Sequence, residues 1–185
     1  MGTYPIKITG KITEDQLQEG LFLFMFRATK IPPHIGIISN GLLFDITSVG
    51  PNRGTDVVEF YQTCLNRKNE VLFIELEQMG SSLDLFDNIT EKVDKYWKVD
   101  EEVSCLHPIK DFIEEAFDVE VNHTNFIFEL LPILYEQELV VNVSQLNLDA
   151  KLSGDNVFGL KKYTKEDIDN CIKALTRKES ICVEG

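Results

Sequence analysis

The densest apolar stretch of the chain, Leu21 to Phe26, has no polar position in it, and this predicts a buried strand over Leu21 to Arg27. Ile31-Pro32-Pro33 ends it, because proline brings no N–H to a strand ladder. His34 to Ser39 is apolar again and predicts a second strand. Asn40-Gly41 is a two-residue hairpin signal, and Leu42 to Thr47 predicts the returning partner. Ser48 to Gly54, with Gly50-Pro51 and Arg53-Gly54, reads as a surface loop. Upstream, Thr13 to Gln18 predicts a short helical turn capped by Thr13.

Beyond the loop the period changes. Thr55 to Asn66 has helical spacing, with Val58, Tyr61 and Leu65 on one side, and Val71 to Glu77 predicts another strand. Ser82 to Lys98 predicts an amphipathic helix through Leu85, Ile89, Val93 and Tyr96 or Trp97. Helices over Ser104 to Phe117 and Asn125 to Tyr135 follow, then an extended segment from Leu139 to Leu148. Thr164 and Asp167 form a capping box for a last helix, with Ile168, Cys171, Ile172 and Leu175 as its apolar face. Strands early and helices late predict an α+β fold, a small antiparallel sheet packed against helices.

Length and charge narrow the classes. The chain has 185 residues and 43% apolar content, which suits one globular domain spanning 1–185. Eighteen Lys and Arg against 31 Asp and Glu give a net charge of −13, which repels phosphate backbones and argues against a nucleic-acid partner. A basic protein partner suits it better. The apolar runs are far shorter than the roughly 20 residues needed to span a bilayer, and no secretory pattern opens the chain. A soluble, cytoplasmic protein is expected. Cys64, Cys105, Cys171 and Cys182 are scattered without a CxxC pair, so reduced thiols and no structural metal or other cofactor are expected.

Three residues carry candidate chemistry. His34, Gly36 and Ile38 share one face of their strand, and Gly36 leaves the imidazole room. If the turn has two residues, Ser39 pairs with Leu42, residue 34 faces 47, and Asp45 and Thr47 lie on the face of His34. A carboxylate there accepts the imidazole N–H and stabilises the imidazolium. Taken alone, His34 is equally a half-buried strand histidine beside a carboxylate. Cys105 opens a helix, where unsatisfied N–H groups favour a thiolate. Taken alone, it reads first as a small residue at the edge of a core, the usual place of a free cysteine. His107, two positions on, points away from it, and Glu75 and Glu77 are alternative orienting groups for His34.

The order of these parts resembles the circularly permuted papain-like cysteine hydrolases and acyltransferases, relatives of the NlpC-type amidases and the lecithin–retinol acyltransferases. In that family a strand beginning His-hydrophobic-Gly-Ile precedes the nucleophile. Here it is His34-Ile35-Gly36-Ile37-Ile38, followed by Asn40-Gly41 and Leu43-Phe44-Asp45. The nucleophile segment is Ser104-Cys105-Leu106-His107-Pro108-Ile109-Lys110, similar to the family's Cys-opened helix with a Lys behind it. The resemblance covers residues 17–135, with 139–185 as a C-terminal extension. It implies a thiol hydrolase (peptidase or amidase) or acyltransferase acting on a small-molecule, peptide or lipid acyl substrate through a thioester. Cys105 would be the nucleophile, His34 the general base and Asp45 its orienting acid. The other reading is a non-catalytic acidic binding or inhibitor module, an inactive descendant of the same fold.

Overall fold

The computed structural model describes residues 2–78 and 80–170. It is a mixed α+β fold built on a mostly antiparallel sheet. The strands are β1 (Thr3–Lys7), β2 (Gly10–Lys11), β3 (Leu21–Phe26), β4 (His34–Ser39), β5 (Leu42–Ile46), β6 (Pro51–Asp56), β7 (Val71–Leu76), β8 (Val140–Leu146) and β9 (Val157–Lys161). The helices are α1 (Val57–Asn66), α2 (Ser82–Tyr96), α3 (Leu106–Phe117) and α4 (Ile127–Glu136). Seven strands form the main sheet in the order β2-β8-β7-β3-β4-β5-β6, and β1 pairs with β9 in a second, two-stranded one. Among the described residues, only the short β2–β8 contact is parallel.

β3 is central, between β4 and β7, which explains why neither of its faces carries a polar residue. Leu21, Leu23 and Met25 join the core built with α2, α3 and α4. Phe22 and Phe24 join a second core, closed by Val57, Cys64 and Phe60 of α1 and by Leu17 of a 3-10 turn at Asp15–Gln18. The sheet is thus covered on both faces, and each β3 side chain is sorted by parity. No helix among the described residues is long and apolar enough to cross a membrane.

The expected β4–β5 hairpin forms as read. Asn40 and Gly41 both take positive φ, 47° and 81°, the backbone a two-residue turn of this kind needs, and Ser39 pairs with Leu42. The expected loop over Ser48 to Gly54 is corrected: from Pro51 the chain is strand β6, pairing with β5 along the sheet edge. The α1 face is also displaced by a residue. Val57 and Cys64 are buried with Phe60 beside them, whereas Leu65 is 42% exposed. Two apolar stripes are available in this short helix, and the sheet selects the one adjoining Phe24.

The segment after Leu139 supplies β8 to the main sheet and β9 to the small one. The Thr164–Asp167 capping box is present, with the Asp167 N–H donating to Thr164 Oγ1 at 3.2 Å. Of the apolar face assigned to that last helix, Cys171, Ile172 and Leu175 lie outside the described residues.

Candidate active site

His34 is the first residue of β4, released from the Pro32-Pro33 break, and Asp45 is the penultimate residue of β5. Because the hairpin register is set by the Asn40-Gly41 turn, the two side chains emerge on one face, diagonal to each other. His34 Nε2 and Asp45 Oδ2 are 2.7 Å apart. Asp45 is 7% exposed and the His34 side chain 30%, so the carboxylate is sealed in while the ring reaches solvent. Behind the pair, Asn52 Nδ2 donates to Asp45 Oδ1. Each carboxylate oxygen therefore has its own partner.

Gly36 serves a different neighbour from the one expected. The space its missing Cβ leaves is filled by the Phe24 ring, whose centroid lies 6.1 Å from the imidazole in an edge-on contact.

Cys105 directly precedes α3, at φ −60° and ψ −13°, and its side chain is partly buried against the larger core. Ser104 Oγ accepts the Leu106 N–H at 3.3 Å, so the serine does cap this turn. The thiol acts on the imidazole where β4 begins. Asp45 makes the hydrogen bond to the ring, and Cys105 lies close enough to act on the ring's proton affinity. With Nε2 taken by Asp45, Nδ1 is the nitrogen left for sulfur.

Burial alone would lower the proton affinity of this ring. The hydrogen bonds to Asp45 and Cys105, with the charges on both, outweigh it and push the His34 pKa up to about 10. The ring is an imidazolium at neutral pH. Cys64 shows the opposite environment: burial among apolar side chains, opposed only by a hydrogen bond from Asn69, pushes its thiol up to about 11.

The other sequence candidates are placed elsewhere. Glu75 pairs with Phe22 near the far end of β3, whereas His34 pairs with Phe26. The Glu77 backbone is tied to Leu139. His107 Nδ1 accepts the Ser104 N–H at 3.0 Å, its ring against Tyr96. Asp100 turns its carboxylate onto the N–H groups of Glu102 and Val103, away from the thiol. Lys110, one turn behind Cys105, is buried and donates to the carbonyls of Thr124 at 2.8 Å and Asn122 at 3.2 Å. It pins the loop that leads into α4.

Two residues around this cluster were not visible in sequence. Asn52 is hidden because nothing marked its segment as a strand. Tyr163 follows β9, is 6% exposed, and is clasped edge-on by Phe126 and Phe128 at 5.2 and 5.1 Å. Burial first, then the charges at Cys105 and Glu129, hold its phenol protonated well above the ordinary tyrosine range. The phenol is thereby kept as a donor hydroxyl.

Two surface depressions lie away from this cluster. One of about 260 Å³ is bounded by Ser39, Leu42, Phe44, Leu83 and Phe86, and one of about 310 Å³ by Glu114, Asp118, Glu120 and Asn122. Neither is lined by His34, Asp45 or Cys105. Among the described residues, no group of three or more His, Cys, Asp or Glu is placed to hold a metal ion. No protein family, curated protein or solved structure matches this chain.

Proposed function

We propose that the chain is a cysteine-dependent hydrolase or acyltransferase that works through a thioester at Cys105, in the manner of the permuted papain-like enzymes. The observation carrying this reading is one imidazole bonded to a buried carboxylate, with a thiol 71 residues further along the chain near enough to raise its proton affinity, which is the minimal equipment for nucleophilic sulfur.

The chemistry follows from the proton held on the ring. Having given its proton to His34, the sulfur attacks an amide or ester carbonyl, and an S–C bond forms. As the C–N or C–O bond breaks, the imidazolium protonates the departing amine or alcohol. Water, or an acceptor alcohol or amine, then gives its proton back to the ring and attacks the thioester, releasing the acyl group and the sulfur. Asp45 holds the ring in one orientation throughout. The backbone N–H of Cys105, at a helix start where such groups lack intrahelical partners, is the first donor to the oxyanion. The Tyr163 phenol is the candidate second donor.

Labelling tests this reading directly. With iodoacetamide at pH 6, Cys105 should react at least about 100-fold faster than an unactivated exposed thiol such as free cysteine, and faster still than the buried Cys64. Mass mapping would identify the site. Equal, slow labelling of Cys64, Cys105, Cys171 and Cys182 would overturn it and leave the acidic binding module, which the net charge of −13 favours.

Tyr163→Phe gives a second test. Loss of one oxyanion donor lowers turnover of a nitrophenyl ester by about 100-fold. Alkylation of Cys105 involves no oxyanion and should stay at the wild-type rate. Equal turnover in Tyr163→Phe would remove the phenol from the mechanism.

A further inference from the structure

The pairing of β5 with β6 contains a break in register, and its position decides what the site acid faces. Leu43 pairs with Thr55, but the next pair is Phe44 with Arg53, so Gly54 is passed over. Gly54 can occupy that bulge because its φ is +89°, and a Cβ there would sit 3.1 Å from the Phe86 ring. After the bulge Asp45 pairs with Asn52 and Ile46 with Pro51. Continued without it, the register would set Asp45 opposite Arg53.

The difference is chemical. A guanidinium opposite Asp45 would take the carboxylate in a bidentate pair, and its charge would work against the imidazolium. The bulge sends Arg53 to the other face instead. There it pairs with Asp94 and lies 5.1 Å over the Trp97 ring. Asp45 receives a neutral amide, which donates to Oδ1 and leaves Oδ2 for His34. With one oxygen anchored, the carboxylate cannot rotate away from the ring, and the ring cannot turn away from the sulfur.

We propose that Asn52 is a positioning residue of this site, a neutral donor delivered by the Gly54 bulge to fix Asp45 against His34 and so aim the imidazole at Cys105. The inference rests on the thioester reading above and adds the residue that sets its geometry. The titratable groups acting on the His34 ring are Asp45 from β5 and Cys105 at the head of α3, while β3 brings the uncharged Phe24 against it. Asn52 therefore acts on the ring through Asp45.

The experiment compares Asn52→Leu, which keeps the volume without the donor, with Asn52→Ser, which cannot span the distance, and with Asp45→Asn. Two quantities are read on each folded variant: the pH midpoint of the His34 ring by NMR, and the rate of Cys105 alkylation at pH 6. In Asn52→Leu the midpoint should fall by about one unit or more, a tenfold loss of proton affinity, and alkylation should slow about tenfold. Asn52→Ser should move both the same way, and carries the test if the leucine variant does not fold. Wild-type midpoints and rates in the Asn52 variants, with both lost in Asp45→Asn, would overturn the role of Asn52 while leaving the triad intact. Slow labelling of Cys105 in the wild type, unchanged in Asp45→Asn, would overturn the triad and this inference together.

Discussion

Exchanging His34 for Gln should slow iodoacetamide alkylation of Cys105 at pH 6 by about 100-fold, because an ordinary thiol is under about 1% ionised there. Glutamine keeps a polar group of similar reach, so the packing around Phe24 survives while the proton acceptor is lost. In the proposed mechanism the ring takes the thiol proton, and its own pKa is pushed up to about 10. Its NMR signals should therefore stay in the imidazolium form through neutral pH and change only as pH approaches that value. Alkylation of Cys105 in the wild type should exceed that in His34→Gln at every pH from 6 to 8, because the variant lacks the proton acceptor. Cys64 is the internal reference, since burial rather than His34 governs it. A His34→Gln variant that labels at the wild-type rate would mean that the ring does not activate the sulfur, whatever their proximity.

How much of this could be read in advance depends on the range of the forces involved. The His34–Asp45 contact is local: a proline break fixes where β4 begins, a two-residue turn fixes register, and parity fixes the face. Those three features are written in contiguous residues, and all three formed as expected. Cys105 is different. Its approach to His34 depends on how α3 meets the end of β4, which no periodicity encodes, and only the resemblance in element order suggested it. Asn52 was out of reach for another reason. Its importance comes from a one-residue slip at Gly54, and a slip changes every partner beyond it while leaving the local pattern of residues unchanged. Tyr163 depended on packing of the C-terminal segment against Phe126 and Phe128. The α1 face failed on phase alone, since ten residues permit two stripes and the choice belongs to the sheet.

Gly36→Ala should destabilise the fold by about 3 kcal/mol, the upper end for forcing one methyl into a filled core. A Cβ at this position would lie 2.5 Å from both Cε1 and Cζ of Phe24 and 2.7 Å from the Phe44 carbonyl oxygen. The carbonyl belongs to the adjoining strand β5 and cannot yield without disturbing the hairpin that holds Asp45. The ring cannot yield freely either, because it is held between Phe60, at 5.1 Å, and the His34 imidazole, at 6.1 Å. For a chain of this size the loss corresponds to a melting temperature lower by roughly 6–12 °C. The same displacement would press on His34, so the folded fraction of Gly36→Ala should also alkylate Cys105 more slowly than the wild type. The double variant Gly36→Ala/Phe24→Leu separates the two obstacles: removing the ring should recover part of the stability, while the clash with the Phe44 carbonyl keeps the rest. A melting temperature within about 1 °C of wild type in Gly36→Ala would mean that β3, β4 and β5 do not meet in this register, because no such gap for a methyl group exists in it.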